Sequence, residues 1–216
     1  MIGEFFIIKS RISRIVENNF SEKSEKVLDI GCGEKPFYMK NIKGKVICFD
    51  IRKTYISDVV GDAMKLPFKN QAFDAVTSIN SFYYIDNPFE ALEEVSRVLK
   101  RRGRFFLIMP FIYPLHDVPI DKYRFTEYGI RELLKKDFEI KEFGSVGSIF
   151  NLPAVFLHSL IKGIPLMFPK NIRKLISFLM LILYPLYLVS QLLSIFDFVD
   201  KSKRWSTYYF AIAVKK

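Results

Sequence analysis

The sequence is poor in the residues that build disulfide frameworks and metal sites, with two cysteines and two histidines among 216 residues. Cys32 and Cys48 are too few for a disulfide framework and have no metal-ligand spacing, which favours a reducing compartment. No aspartate at a predicted strand end pairs with a histidine or cysteine at metal-ligand spacing, so we predict no metal site. The N-terminal apolar stretch is interrupted by charges and lacks a small-residue cleavage site, so we expect no secretory signal.

Acidic residues are also scarce, since 23 Asp and Glu face 33 Lys and Arg, which gives a net charge of +10. Half of the residues are hydrophobic, and the mean hydropathy is positive at +0.14. Nine basic and two acidic residues lie between 151 and 216. A basic and apolar chain favours an anionic membrane surface over nucleic acid as its partner. The length predicts one domain with a full core.

Short apolar runs alternate with amphipathic segments along the chain. We predict strands at 26–30, 46–50, 58–61, 73–79, 104–109, 138–143 and 208–214. Helices are expected over 2–19, from Asn87 and Pro88 toward Gly103, and from the capping residue Thr126 to about Asp137. We expect Lys100, Arg101 and Arg102 to complement the dipole at the end of the second helix. This alternation indicates a mostly parallel sheet with helices on both faces and a ligand at the strand carboxyl ends.

The stretch Val27–Pro36 is the strongest ligand-binding motif. An apolar run ends in two glycines spaced one apart, Gly31 and Gly33, which is typical of a strand that turns sharply into a ligand-binding loop. Asp50 closes the second predicted strand, 17 residues after Gly33. At that spacing a carboxylate can accept hydrogen bonds from both hydroxyls of a ribose, and it would repel a 2′-phosphate. Asp62 is a second acidic strand end, and it or the amides after it could contact an adenine edge.

These motifs together resemble the class I S-adenosylmethionine-dependent methyltransferases, specifically the type-11 group. The matching residues are Val27–Gly33, Asp50, Gly61–Phe68, Phe73–Pro88 and Glu93–Pro110. The resemblance runs from about Lys26 to Phe143, with 208–214 as the last strand. It implies a Rossmann-like α/β fold whose seven-stranded sheet is mostly parallel, with an antiparallel last strand and helices on both faces. Pro36 stands where a dinucleotide fingerprint would place its third glycine, which favours S-adenosylmethionine over NAD.

The resemblance also assigns roles to single residues. Those implied to bind S-adenosylmethionine are Asp29, Gly31, Gly33, Asp50, Asp62, Ala63 and Asn80. The first three would lie on the methionine and ribose side, Asp50 at the ribose hydroxyls, and Asp62 with Ala63 at the adenine. Asn80 and Ser81 would lie near the sulfonium. For Asp62, a plain turn-capping role remains an alternative.

The segment Pro114–Thr126 resembles a Pro-x-His…Pro-x-Asp-x-x-Arg-Phe-Thr stretch that many type-11 sequences carry. His116 falls where an acceptor would lie, so it is the candidate general base. A structural role for His116 in the loop is an equal alternative. Asp117, Asp121 and Arg124 could form a salt-bridged loop, and this interpretation is favoured. The second histidine, His158, lies in an apolar stretch and is expected to be packed or interfacial.

An apolar insertion of about sixty residues replaces the short hairpin that this family usually has between its sixth and seventh strands. Its run Leu175–Phe196 carries no charge over 22 residues, which is long enough to span a bilayer. Because the sixth and seventh strands must share one sheet, a single crossing is excluded. Interfacial helices or a re-entrant hairpin avoid placing the basic linker 170–174 on the far side. A helical cap on the domain or in a homodimer is the alternative.

The sequence thus predicts a methyltransferase core over 1–147, a membrane-associated or capping insertion over 148–206, and the final core strand over 207–216. The predicted activity is S-adenosylmethionine-dependent methyl transfer to a small or lipid-linked acceptor at the cytoplasmic membrane face. A dinucleotide-dependent oxidoreductase and a non-catalytic membrane scaffold are the alternatives. A nucleic-acid substrate is not expected, because residues 80–83 lack the Asn-Pro-Pro-aromatic pattern of amino-group methyltransferases.

Overall fold

The computed structural model describes residues 6–21 and 25–216. Seven strands form one sheet in the order β3-β2-β1-β4-β5-β7-β6. The strands are β1 Lys26–Ile30, β2 Lys45–Asp50, β3 Val59–Val60, β4 Phe73–Ile79, β5 Leu99–Pro110, β6 Phe138–Val146 and β7 Tyr208–Lys215. The α-helices are α1 Phe6–Asn19, α2 Pro88–Val98, α3 Glu127–Leu134, α4 Leu152–Gly163, α5 Lys170–Met180 and α6 Tyr184–Leu192.

The pairing confirms the predicted fold class. The neighbours β3, β2, β1, β4 and β5 are all parallel, whereas β7 runs antiparallel to both β5 and β6. The carboxyl ends of β1, β2, β4 and β5 therefore lie at one edge of the sheet. Asp50 is the last residue of β2, Asn80 directly follows β4, and the two motif glycines lie within three residues of the end of β1, which is where ligands bind to parallel sheets.

Two apolar cores cover the two faces of the sheet. On one face, α2 and α3 pack their buried stripes, which include Val95 and Leu133, against the strands. On the other face, α1 packs through Ile8, Ile12 and Val16. The insertion helices α4 and α6 complete that second layer. This sandwich of helix, sheet and helix is the arrangement that buries a parallel sheet on both faces.

Asn87 and Thr126 begin the two helices as predicted. The Asn87 side chain accepts from the amides of Phe89 and Glu90 at 3.2 and 3.3 Å. The Thr126 hydroxyl accepts from Gly129 N at 3.1 Å. Each side chain thus satisfies amides that the first helical turn leaves without a partner.

The prediction for Lys100–Arg102 was wrong. Helix α2 ends at Val98, and Leu99 already belongs to β5, so these basic residues lie in the first part of a strand rather than at a helix end. Lys100 Nζ instead bonds Asp74 Oδ1 at 2.6 Å. The strand is irregular at this point, since Arg102 has φ +61°, and a Cβ at Gly103 would lie only 2.9 Å from the carbonyl oxygen of Lys100. The Ile2 and Phe5 portion of the predicted first helix lies outside the described residues.

Candidate functional site

The loop after β1 has two glycines with left-handed backbones but different surroundings. Gly31 has φ +76°, and a Cβ there would lie 2.2 Å from Ser81 Cβ. Gly33 has φ +63°, and a Cβ there would meet nothing within 4 Å. Packing against Ser81 therefore requires glycine at 31. The open space around Gly33 gives a ligand access to its backbone.

Asp29 lies inside the sheet rather than on its edge. Its side chain is 0% exposed and accepts from Thr77 Oγ1 at 2.6 Å and from Tyr38 OH at 3.0 Å. Burial raises the pKa of Asp29 to about 6, although both hydroxyls oppose the shift. In this conformation the Asp29 side chain is part of the buried structure that carries the glycine loop. Its direct contact with a cofactor stays a prediction.

Asp50 joins β2 to the glycine loop. Its Oδ2 accepts from Gly33 N at 2.9 Å, and its Oδ1 accepts from Arg52 N at 3.0 Å. A carboxylate has about four acceptor positions, so two of them stay available beside these amides. The remaining positions are the ones that a pair of ribose hydroxyls would need. Ribose binding by Asp50 is compatible with this geometry and stays a prediction.

Asp62 caps the turn that follows β3. Its Oδ1 accepts from Met64 N at 2.8 Å, and its carbonyl oxygen accepts from Lys65 N at 2.9 Å. The turn-capping alternative for Asp62 is therefore present in the structure, and the buried Ala63 follows it within the same turn. Contact of Asp62 and Ala63 with an adenine stays a prediction.

Asn80 is the most unusual residue at this edge. It has φ +56°, although it is not glycine. Its buried Oδ1 has no hydrogen-bond partner among the described residues. Backbone strain together with a buried acceptor that lacks a partner is typical of a ligand-binding position. The neighbouring Ser81 differs, because its hydroxyl already donates to the Ile30 carbonyl at 2.6 Å.

His116 sits between a carboxylate and two tyrosines. Its Nδ1 lies 3.0 Å from Asp121 Oδ2, and its Nε2 lies 3.1 and 3.2 Å from the hydroxyls of Tyr83 and Tyr84. The carboxylate favours a proton on Nδ1, which leaves the lone pair of Nε2 facing the tyrosines. This arrangement resembles an oriented base, in which a third group fixes the tautomer of the histidine.

Arg124 holds the Asp121 carboxylate in place. The side chain of Asp121 is 0% exposed, and both of its oxygens accept from the guanidinium of Arg124. Burial opposes ionisation of Asp121, but the hydrogen bonds from Arg124 and His116 outweigh it and keep its pKa below the usual value. The expected ion pair between Asp121 and Arg124 is present. Asp117 differs, because it accepts from Tyr84 OH at 2.6 Å.

The sequence did not predict that Tyr83 and Tyr84 contact His116. Tyr83 and Tyr84 follow β4, whereas His116 follows β5, so only the fold brings them together. Burial raises the pKa of both phenols above their ordinary value. Each hydroxyl therefore keeps its proton at neutral pH. Tyr84 donates its proton to Asp117, so Tyr83 is the hydroxyl that can donate to Nε2 of His116. The sole sequence signal was that both residues lie just beyond a strand end.

The remaining candidates are structural in this geometry. Both cysteines are buried free thiols, and burial raises the pKa of Cys48 to about 11 and that of Cys32 further. His158 lies on α4 with its ring 5.8 Å from that of Tyr187. Among residues 6–21 and 25–216, no three His, Cys, Asp or Glu side chains form a group able to hold a metal ion.

These residues fit S-adenosylmethionine in chemical terms. The cofactor offers ribose hydroxyls and an ammonium group as hydrogen-bond donors. The edge offers the unused acceptor positions of Asp50, the partnerless Oδ1 of Asn80 and the open backbone at Gly33. Acceptors on the protein thus match donors on the cofactor.

Comparison with known proteins agrees with this fit. Residues 28–107 match the sequence model of a family described as methyltransferase domain. An uncharacterized protein of Methanocaldococcus jannaschii is 37% identical over 144 residues, which are 62% of this chain and 53% of that protein. A demethylmenaquinone methyltransferase of Paenarthrobacter aurescens is 32% identical over 136 residues, 57% of this chain and 53% of that enzyme. The chain spans about half the length of these curated relatives.

Solved structures share the fold at low identity. The cyclase SpnF matches with a TM-score of 0.63 and 17% identity, over 95% of this chain and 80% of that one. The phosphoethanolamine N-methyltransferase 2 of Haemonchus contortus, solved with S-adenosylhomocysteine, matches with a TM-score of 0.59 and 16% identity. That match covers 95% of this chain and 52% of the other. The family match is confined to residues 28–107, where it indicates a methyltransferase domain, and the seven-stranded sheet agrees with the class I fold of S-adenosylmethionine-dependent methyltransferases.

Proposed function

We propose that this protein transfers a methyl group from S-adenosylmethionine to a small, apolar or lipid-linked acceptor at the cytoplasmic surface of a membrane. One observation carries the proposal. The hydrogen-bond acceptors that suit the cofactor lie at the same edge of the sheet as His116. This edge is beside an insertion whose outer side chains are apolar. The molecule that receives the methyl group must reach that edge, and apolar surroundings suit an apolar molecule.

The residues of the loop would bind and orient the cofactor. Asp50 would accept from the ribose hydroxyls, the Gly33 backbone would line the adjoining chain, and Asn80 Oδ1 would accept from the ammonium. Asp62 and Ala63 would lie at the adenine. When bound, the cofactor supplies a methyl group made electrophilic by its sulfonium. Because such a carbon is already activated, positioning of the acceptor provides most of the rate enhancement.

His116 would act as the general base where the acceptor has a proton to lose. With the proton on Nδ1, Nε2 would carry the lone pair that takes the proton of the methyl acceptor in place of the hydrogen bond from Tyr83, and Asp121 would stabilise the imidazolium that forms. Tyr83 would be a positioning residue, since its hydroxyl lies 3.1 Å from Nε2 and can donate to it, whereas Tyr84 donates to Asp117. A base of this kind suits an acidic hydroxyl or an enol-like carbon acid.

The names of the relatives and the segments next to His116 both favour an apolar methyl acceptor. One relative is named a demethylmenaquinone methyltransferase, and another a ubiquinone/menaquinone biosynthesis C-methyltransferase. In this chain Phe111 N bonds Thr207 O at 2.8 Å, which joins the end of β5 to the end of the insertion. The ring of Tyr113, in the same segment, lies 5.0 Å from that of His116. The insertion therefore ends next to the proposed position of the methyl acceptor.

Methyl transfer to a lipid can be tested directly. The full chain is incubated with labelled S-adenosylmethionine and an extract of total membrane lipids, and the products are resolved by mass spectrometry. The proposal predicts an organic-soluble product with one added methyl group, which an Asp50→Ala variant fails to make. Label confined to water-soluble products would contradict a lipid acceptor. No enzyme-dependent label in any fraction would contradict the activity.

A further inference from the structure

Helix α6 of the insertion buries polar side chains and exposes apolar ones. Helix α6 buries Tyr187, Ser190 and Gln191 against the rest of the chain. Its outward side chains include Leu186 and Val189, which are 55% and 59% exposed. A helix on a water-facing surface has the opposite polarity.

A buried polar network fixes this orientation. Ser194 Oγ donates to Asn151 Oδ1 at 2.8 Å, and Asn151 Nδ2 donates to Thr207 Oγ1 at 3.1 Å. Nearby, Arg11 of α1 forms an ion pair with Asp197. Rotating the insertion would break these bonds and bury unpaired polar groups, which is costly. The apolar side therefore stays outside.

The outward apolar surface is large and local. Thirty large hydrophobic residues are exposed among those that the structure describes, and all but nine of them lie between Ile149 and Trp205. Helix α5 has no buried residue, and Phe178 on it is 69% exposed. Ile182, just beyond α5, is 81% exposed. Water-soluble proteins seldom leave an apolar patch of this extent uncovered.

Basic residues border the apolar surface. Lys170, Arg173 and Lys174 lie on α5, and Lys201, Lys203 and Arg204 follow the last apolar turn. The acidic residues between 149 and 205 are Asp197, already paired with Arg11, and Asp200. A second copy of this chain would bring the same uncompensated charges to the interface. An anionic lipid surface complements them.

Two helical segments of the insertion are long enough to cross a bilayer, but their packing against the core argues against a crossing. Two apolar helical segments, Ile149–Met167 and Lys170–Val199, have the length and hydropathy of membrane spans. Their inner sides belong to the second core, where Ala154, Val155 and Tyr187 are at most 1% exposed. Crossing the bilayer would remove these side chains from the core. It would also carry the basic start of α5 to the far side, against the positive-inside tendency.

We infer that the segment 149–205 is a monotopic membrane-docking surface that lies in the plane of an anionic leaflet. The apolar outer sides of α5 and α6 enter the lipid, and the flanking lysines and arginines contact anionic headgroups. The inference gives the proposed function its location, because the insertion leaves the sheet at the edge that carries His116. Docking itself needs neither the cofactor nor turnover, so its failure is separate from a failure of the methyl transfer.

Vesicle binding tests the inference with an intrinsic probe. Trp205 is the one tryptophan of the chain, and it lies at the end of the docking surface with 49% of its area exposed. The full chain is mixed with vesicles of phosphatidylcholine alone or with about one third phosphatidylglycerol. We expect flotation with the anionic vesicles and a blue shift of Trp205 emission, both weakened by salt. Lack of flotation and of any shift with anionic vesicles would overturn the inference.

Substitutions of exposed residues test the surface without disturbing the core. Phe178→Asp combined with Ile182→Asp should weaken vesicle binding more than a hundredfold, since each side chain would no longer enter the lipid. Tyr128→Asp is the matched control, because Tyr128 is 79% exposed on α3 and should leave binding unchanged. Equal loss in both variants, or in neither, would contradict the assignment.

Paired lysines test the charge. Lys170→Gln with Lys174→Gln should weaken binding to anionic vesicles about thirtyfold, at roughly fivefold for each charge. The control is Lys43→Gln with Lys45→Gln, at the opposite edge of the sheet. Light scattering of the protein without lipid addresses the second-copy alternative. A stable dimer that Phe178→Asp converts to a monomer, with no vesicle binding, would overturn the inference.

Discussion

Asp50 provides the sharpest test of the cofactor site, through the change Asp50→Asn. In the structure its two oxygens accept from Gly33 N and Arg52 N, and the proposed function adds two ribose hydroxyls. Asparagine keeps the shape and one acceptor oxygen, but it replaces the other oxygen by a donor that faces an amide or a hydroxyl donor. Two charge-assisted hydrogen bonds to the ligand are weakened or lost.

The magnitude follows from these contacts. A hydrogen bond to a charged group contributes about 1.5–3 kcal/mol, so the weaker end of that range for two bonds gives about 3 kcal/mol. At 1.4 kcal/mol for each factor of ten, the affinity for S-adenosylhomocysteine should fall about a hundredfold. Isothermal titration calorimetry of the wild type and the variant measures this change.

Asp58→Asn is the control for a general effect of losing a carboxylate. Asp58 follows β2 and accepts from Cys48 N at 2.8 Å, so it makes a similar backbone contact away from the glycine loop. Its replacement should leave the affinity within about twofold of the wild type. If Asp50→Asn also retained wild-type affinity, the ribose assignment would be refuted.

Three further predictions concern stability and turnover. Because burial raises the pKa of Asp29 to about 6 from 3.8, the folded state binds the extra proton, and stability falls by about 2.4 kcal/mol as pH rises from 4 to 7. The free energy of unfolding, measured in urea at both pH values, should show this loss in the wild type but not in Asp29→Asn. An identical pH dependence in the two proteins would contradict the raised pKa of the buried carboxyl. Gly31→Ala should destabilise the fold by at least about 2 kcal/mol, because its Cβ would overlap Ser81, whereas Gly33→Ala should cost about 1 kcal/mol and chiefly weaken S-adenosylhomocysteine binding. His116→Gln should lower kcat by a factor of about 100 or more while S-adenosylhomocysteine affinity stays within twofold, and unchanged kcat would exclude His116 as the base.

The sequence predicted those features that depend on local pattern. Strand β1 and strand β4 have the predicted limits, since each is a short apolar run bounded by polar residues or glycine. The helix starts at Asn87 and Thr126 could also be predicted, because a capping side chain bonds amides within three residues of itself. The position of the ligand edge followed from the order of strands and helices alone.

Features that depend on tertiary contact were not predictable in the same way. The bonds of Tyr83 and Tyr84 to His116 join residues more than thirty positions apart. The early start of β5 was missed because Lys100–Arg102 are typical of a helix end, whereas pairing with β4 extends the strand. The burial of the polar face of α6 could not be predicted, because the sequence does not show which face of the helix packs against the core.

The central claim is that the loop after β1 and its partners bind S-adenosylmethionine. The most direct measurement is a calorimetric titration of the full-length protein with S-adenosylhomocysteine and, separately, with NAD. The account predicts saturable binding of S-adenosylhomocysteine near one molecule per chain, with no heat from NAD beyond dilution. Binding of NAD, or an absence of S-adenosylhomocysteine binding by folded protein, would contradict it.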